Sequence, residues 1–269
     1  MKHMAGLVSL ALPVLEVIDS SICRLTGRRN LPPFALRVST GSPVHMIGGG
    51  TWMRMGAQMF EEVKAFCGLL PTHQVVEIGC SCGIAAVHLK SYLTSGAYTG
   101  VDILPESIAW CQKHLGNERF RFVHLDVSHD LYRPAGASDA EHVRLPLADN
   151  SADVVFLVSV FTHMLPNTIQ HYLNEIGRIL KPQGRCLATM LTKDRYVAGR
   201  AVFTLRHQHD DECLCWDAES PTKAVAISSA SISRMAQNGG LKVYQMSPGQ
   251  WDGQTRSSYL HDMYVFKKE

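Results

Sequence analysis

The chain has 269 residues and a formal net charge of +2, with 46% hydrophobic and 19% charged residues. This length and composition fit one large soluble α/β domain with a sizeable core. A charge so close to neutral provides no basic face for nucleic acid, so we expect no nucleic-acid partner. The eight cysteines follow no disulfide framework, which predicts a reduced, cytoplasmic location.

Residues 1–55 lack the regular alternation of strands and helices seen later, and we expect a helical and irregular N-terminal cap. Apolar residues between Leu7 and Ile18 recur at helical spacing and predict a docking helix. Pro13 and Glu16 interrupt this run, which is too short to span a bilayer, so we predict no stable membrane insertion. A local basic excess is interpreted as solvated surface, with an anionic ligand or a lipid surface as the alternative. Its members are Arg24, Arg28, Arg29 and Arg37.

Short apolar strands alternate with amphipathic helices from residue 75 onward, after a helix predicted over 55–69. Strands are predicted over 75–78, 98–103, 120–125, 153–159 and 185–191. Helices are predicted over 84–93, 106–114 and 167–180. This alternation indicates parallel βαβ units with right-handed crossovers. The segments 241–246 and 262–266 predict a final hairpin that carries an antiparallel strand.

A glycine-rich turn between the first strand and its helix is the strongest functional signal. It runs from Glu77 through Gly79, Cys80 and Ser81 to Gly83. Glycines allow unusual backbone dihedrals and the close approach of a ligand. The helix that follows offers free amide groups and a positive dipole end, which suit a carboxylate or a ribose oxygen. Glu77 stands at the strand end, where it can accept a hydrogen bond from an ammonium group or a water.

Acidic residues also follow the second and third strands. Asp102 is placed to accept hydrogen bonds from both hydroxyls of a ribose, and Asp126 is placed to meet an adenine amino group. Together with Glu77, these acids mark three successive strand ends. The pattern therefore predicts an adenosyl ligand that lies across the carboxyl edge of the sheet.

These motifs, in this order, resemble those of class I S-adenosylmethionine-dependent methyltransferases, and the segments LPLADNSADVVF (145–156) and EIGRILKPQGR (175–185) resemble the small-molecule branch. The resemblance implies S-adenosylmethionine as cofactor, a small-molecule acceptor, and a Rossmann-like α/β sheet of seven mostly parallel strands whose last strand is antiparallel. It implies a methyltransferase domain over 56–269, with 193–220 as a lid on the acceptor side. The cofactor-binding residues it implies are Glu77, Gly79, Cys80, Ser81, Gly83, Asp102, Ile103, Asp126, Val127 and Ser159.

His163 follows the fourth strand and is our candidate general base, because an imidazole titrates near neutral pH. A helix-start or packing role is the alternative. Trp52 and Arg54 are candidates to close over the methionine end of the cofactor, or else Trp52 packs the N-terminal segment. Histidines and cysteines of the lid match no common zinc pattern, so no metal site is predicted. They are His207, His209, Cys213 and Cys215.

Three other functions fit parts of the pattern. The turn around Ser81 also matches the nucleophile elbow of α/β-hydrolases, with 48–50 as their oxyanion loop. That function leaves Glu77, Asp102 and Asp126 unexplained. A nicotinamide dehydrogenase would need a third glycine, which is absent. A protein that binds S-adenosylmethionine without turnover, as a partner or regulator, is the main alternative to an enzyme.

Overall fold

The computed structural model describes residues 2–28, 30–38 and 43–269 as an α/β protein. The helices in these ranges are α1 (Lys2–Leu25), α2 (Phe34–Arg37), α3 (Pro43–Met46), α4 (Gly50–Cys67), α5 (Ala86–Tyr92), α6 (Pro105–His114), α7 (Pro166–Ile179) and α8 (Ser229–Asn238). The strands are β1 (Gln74–Ile78), β2 (Ala97–Asp102), β3 (Phe120–His124), β4 (Ala152–Leu157), β5 (Leu180–Thr192), β6 (His207–Asp210), β7 (Cys213–Cys215), β8 (Val225–Ile227), β9 (Leu241–Ser247) and β10 (Asp262–Lys268).

Seven strands form the main sheet in the order β3-β2-β1-β4-β5-β10-β9. The first five are parallel to one another, and β10 is antiparallel to both β5 and β9. The predicted fold class and the antiparallel final hairpin are therefore confirmed. The predicted total of seven strands is too low for the described chain, because β6, β7 and β8 continue from the far end of the long strand β5 at Leu191 and Thr192.

Alternation along β4 explains why this strand lies at the centre of the sheet. Val155 and Leu157 pack into the core that α7 and α8 cover, whereas Val154 and Phe156 pack into the core beneath α4, α5 and α6. Because successive side chains point to opposite faces and both faces are covered, the sequence of β4 reads as a continuous apolar run. Because β1, β2 and β4 run parallel, their carboxyl ends lie at one edge of the sheet.

The N-terminal helices pack on the start of α4 through a buried ion pair. Arg37 is fully buried and pairs with Asp19 of α1, and it also donates to the carbonyls of Pro32 and Met46. The prediction that Arg37 belongs to a solvated surface is therefore wrong: a buried carboxylate and two carbonyls replace water around its guanidinium. Arg24 is exposed as predicted.

Trp52 is also fully buried, in an apolar cluster with Phe34 and Met46, so it packs the cap and does not reach the cofactor cavity described below. Arg54 is exposed and donates to Thr51 Oγ1. Helix α4 runs across the expected boundary at 55/56, and the division into two domains stays a prediction. Arg29, and the side chains of Leu7 and Leu10 on the expected helical face, lie outside the described residues.

All eight cysteines are buried and free of disulfides. Within the described part of the chain, no helix is both long and apolar enough to cross a membrane. The cytoplasmic location stays a prediction.

Candidate active site

A cavity of about 470 Å³ opens at the carboxyl ends of β1, β2 and β4. The predicted residues in its wall are Glu77, Gly79, Ser81, Asp102, Ile103, Ser159 and His163. Apolar side chains from α4, the strand ends and the loop before β10 cover much of the remaining wall, among them Met55, Met59, Val158 and Leu260. The cavity therefore combines two carboxyl groups with a largely apolar wall.

The turn after β1 adopts the left-handed backbone that its sequence predicts. Gly79, Ser81 and Gly83 have φ values of 79°, 45° and 79°. Several of its amides are already donated within the protein: those of Gly79 and Cys80 to the Val101 carbonyl, and that of Ser81 to Asp102. The turn thus owes its shape to internal hydrogen bonds, and fewer of its amides face a ligand than we expected.

Glu77 is 3% exposed at the end of β1 and receives a hydrogen bond from the Tyr98 hydroxyl. Burial raises the pKa of Glu77 to about 8, although the Tyr98 hydrogen bond opposes this shift. The carboxyl group is therefore mainly protonated at neutral pH in the structure described. A cation bound beside it would favour the ionised form.

Asp102 at the end of β2 holds both the glycine turn and the start of α6. Its two carboxylate oxygens accept from the Ser81 amide at 2.6 Å and the Leu104 amide at 2.9 Å. Burial nevertheless raises the pKa of this carboxyl group, against the effect of these backbone donors. Each carboxylate oxygen has a second lone pair, so Asp102 can still accept from a ligand hydroxyl.

Asp126 and Val127 lie outside this cavity. Asp126 is half-exposed and accepts from Arg133 at 2.6 Å and from the Ala137 amide, so it anchors the segment after β3. The Arg133 guanidinium holds the pKa of Asp126 below its ordinary value. Val127 lines an adjoining cavity of about 470 Å³, which shares Ile103 and His163 with the first. The adenine contact expected of Asp126 stays a prediction.

Cys80 and Gly83 also lie behind the cavity wall. Cys80 is fully buried in the core beneath α5, and Gly83 packs against Leu115 and Cys111. A side chain on Gly83 would come within 2.5 Å of Leu115. Cys80 and Gly83 therefore support the turn through contacts with the protein core instead of lining the cavity.

His163 lies in the wall of both cavities, and its hydrogen bonds define its tautomer. Nδ1 is 3.0 Å from the Thr222 carbonyl oxygen, which can only accept, so Nδ1 carries the proton. The lone pair is then on Nε2, which lies 3.4 Å from the Tyr132 hydroxyl. Burial lowers the pKa of His163 below its ordinary value, and the ring is neutral at pH 7.

Three further side chains in the wall were missed or placed only loosely by sequence analysis. His261 precedes β10 and stacks on Phe203 of the predicted lid, with ring centroids 5.8 Å apart. Its Nδ1 lies 3.4 Å from Ser159 Oγ. Tyr132 comes from the segment after β3. A lone histidine before a strand and a tyrosine in a long loop carry no periodicity, so only the fold could bring them together.

Residues 48–50, the expected oxyanion loop, do not line the cavity that holds Ser81. Gly48 and Gly49 pack against Ile22 and Leu31 in the N-terminal cap. Among the described side chains, no group of three or more histidine, cysteine or acidic residues could hold a metal ion.

A parallel sheet in this order with an antiparallel strand beside β5, a glycine turn after β1, and buried acids at the ends of β1 and β2 together define the class I methyltransferase fold. Residues 76–188 match the family described as "Methyltransferase domain". They form a class I, S-adenosylmethionine-dependent methyltransferase domain, as the sequence motifs predicted.

Curated relatives match the same region. The chain is 34% identical over 111 residues to a phthiotriol/phenolphthiotriol dimycocerosates methyltransferase of Mycobacterium tuberculosis, covering 41% of this chain and 35% of the relative. It is 29% identical over 116 residues to a fatty-acid O-methyltransferase of Mycolicibacterium smegmatis, covering 43% and 36%. The chain thus spans little more than a third of the length of these relatives.

A solved structure shares the fold over a longer range. The crystal structure of a SAM-dependent methyltransferase from Methanosarcina mazei superposes with a TM-score of 0.52 at 16% identity, over 74% of this chain and 94% of the other. S-adenosylmethionine is the cofactor of this domain type. The residues of the cavity fit this cofactor, because Glu77 offers a carboxyl group for its ammonium, Asp102 offers one for its ribose hydroxyls, and Ile103 offers an apolar surface for its adenine ring.

Proposed function

We propose that this chain transfers a methyl group from S-adenosylmethionine to a nucleophilic atom of a small, largely apolar acceptor. The observation that carries the proposal is the cavity itself, whose wall holds Glu77, Asp102 and His163 among many apolar side chains. When bound, the cofactor would supply an already activated methyl group. The protein is left to hold the acceptor in line and to exclude water.

His163 acts as the general base in this proposal. The carbonyl of Thr222 fixes Nδ1 as a donor, so Nε2 carries the lone pair that can take a proton from the acceptor. The Tyr132 hydroxyl lies 3.4 Å from Nε2 in the structure, and an acceptor hydroxyl would take its place there. The apolar side chains of Val158, Leu260 and Phe203 keep water from the reacting atoms.

The curated relatives support a largely apolar acceptor, since one is named for phthiotriol/phenolphthiotriol dimycocerosates and the other for fatty acids. Their names include both a triol and a carboxylic acid, so they do not decide which chemical group this chain methylates. No observation favours a binding protein without turnover, a hydrolase or a dehydrogenase. The exclusion of nucleic acid as acceptor, the domain boundary and the role of 193–220 as lid are parts of the proposal. Phe203 in the cavity wall supports the lid.

Calorimetric titration with S-adenosylmethionine tests the first half of this proposal, and release of S-adenosylhomocysteine from a panel of lipids, phenols and tRNA tests the second. Asp102→Asn should weaken cofactor binding at least tenfold, whereas Asp139→Asn, a change at an exposed acid, should leave it unchanged. Binding without release from any acceptor would favour the non-catalytic function. No binding of the cofactor would refute the proposal.

A further inference from the structure

We infer that the acceptor presents an uncharged hydroxyl group on an apolar skeleton, and that carboxylates and phosphates are excluded; this rests on the proposed function. The inference comes from the charges in the wall of the cavity, the hydrogen bonds of its histidines, and the proton that the reaction must remove.

The wall carries no positive side chain to receive an anion. Among the described residues that line the cavity, the ionisable acids are Glu77 and Asp102, and there is no lysine or arginine. An anionic acceptor would lose its hydration on entry and gain no counter-ion. A buried charge without a partner is strongly disfavoured, so an anion would bind weakly.

Arginines of the loops around the cavity are already paired. Arg133 binds Asp126 at 2.6 Å. Arg195 pairs with both Asp252 and Asp262 and also donates to Thr255. Recruiting the Arg195 guanidinium for an acceptor would break the pairings that hold its loop in place. Arg133 does not line the cavity, and the Asp126 carboxylate offsets its charge.

The three histidines in the wall do not replace a missing cation. Both ring nitrogens of His129 are already engaged, since Nδ1 accepts from the Leu131 amide and Nε2 lies 2.9 Å from the His163 carbonyl oxygen. Burial and the neighbouring His163 lower the pKa of His261 to about 4. His261 and Ser159 can each donate to or accept from a hydroxyl.

The proton balance also favours a neutral hydroxyl. As the acceptor oxygen forms its bond to the transferred methyl carbon, the carbon–sulfur bond breaks with its electron pair on sulfur, and the hydroxyl proton passes to Nε2 of His163. The positive charge that began on sulfur ends on the imidazolium and leaves with that proton to solvent. A carboxylate is already ionised and would give His163 nothing to remove.

The test uses alcohols and carboxylic acids of matched skeleton, in alkyl, aryl and polycyclic pairs, with the amine of each skeleton as a third arm. Release of S-adenosylhomocysteine at pH 7.5 and saturating cofactor gives kcat/KM for each compound. The best alcohol should exceed its acid and its amine at least tenfold. A panel in which no alcohol exceeds its acid or amine overturns the inference, and turnover of an acid or amine leaves the proposed function intact.

A substitution that introduces a positive charge into the cavity provides a second test of the inference. Leu260 lines the cavity and is 40% exposed, so Leu260→Arg should be tolerated and should place a guanidinium at the acceptor. We expect the ratio of acid to alcohol turnover to rise at least fivefold. Leu70→Arg, a matched change at an exposed leucine away from the cavity, should leave the ratio unchanged. An unchanged ratio in folded Leu260→Arg would also contradict the inference.

Discussion

In the proposed mechanism His163 accepts the proton, and its surroundings determine how kcat changes with pH. Burial lowers the pKa of His163 below 6.5, the ordinary value for a histidine. The ring therefore remains neutral, the form that can accept a proton, until the pH falls below 6.5. We expect kcat to be flat at neutral pH and to fall on acidification through a pKa below 6.5. His163→Gln should lower kcat by roughly 10²-fold or more and remove this acid limb.

His209→Gln is the control for this measurement, because His209 is exposed on β6 and away from the cavity. A kcat for His163→Gln within threefold of the parent value would assign the residue to packing.

Glu77 gives a second prediction at the scale of one residue. Its pKa of about 8 means that the carboxyl group is largely protonated at pH 7, whereas an ammonium bound beside it stabilises the carboxylate. Cofactor binding at pH 7 should therefore release a proton from Glu77, and this release should disappear by pH 9. Calorimetry in buffers of different ionisation enthalpy measures the number of protons.

Glu77→Gln removes the titrating group but retains its size, so this variant should lose the proton release seen in the parent. Equal proton release in both proteins would show that Glu77 is not the source.

At the scale of elements, the loop before β10 owes its position to one buried network. Asp262 accepts from the amides of Thr192 and Gly249, from Trp251 Nε1 and from Arg195, so it joins the end of β5 to this loop. The same loop carries Leu260 and His261 into the cavity wall. The network therefore positions the acceptor side without touching the acceptor.

Arg195→Lys retains the charge but loses the forked geometry that reaches Asp252 and Asp262 together. We expect the KM for the acceptor to rise by on the order of tenfold while the Kd of the cofactor changes less than twofold. Arg200→Lys, an exposed change in the adjacent segment, is the control. Parallel losses in KM, Kd and Tm would indicate general destabilisation instead of positioning.

The helices and strands with a clear periodic pattern could be predicted from the sequence, whereas the short strands β6 to β8 and the packing of the N-terminal cap could not. The apolar run of β4 and the spacing of Ile169, Leu173 and Ile176 on α7 carry a local periodic signal, and all are buried as expected. The strands β6 to β8 are only three or four residues long, too short for such a signal. The burial of Arg37 depends on Asp19, eighteen positions away, and no local pattern records that pairing.

At the scale of the molecule, the ion pair between Asp19 and Arg37 fastens α1 to the rest of the protein. Asp19 also accepts from the Gly48 amide, just before α4. Asp19→Ala removes the carboxylate from a guanidinium that stays buried, which should cost about 3–5 kcal/mol of unfolding free energy. Urea unfolding at pH 7 measures this loss.

Glu118→Ala changes an exposed acid and should cost less than about 0.5 kcal/mol. A comparable loss in the two variants would contradict a special role for the Asp19 pair. Because Met55 and Met59 of α4 line the cavity, Asp19→Ala should also weaken cofactor binding.

Because every thiol is buried, the rate at which each cysteine reacts measures how often its part of the protein opens locally. In the native state, a reagent such as Ellman's cannot reach any sulfur without a fluctuation that uncovers it. Cys23 reports loosening of the first helix, Cys82 reports exposure of the layer beneath the cap, and Cys213 and Cys215 report opening of the small hairpin formed by β6 and β7. The order in which these sulfurs become reactive would rank the parts of the protein by their local stability.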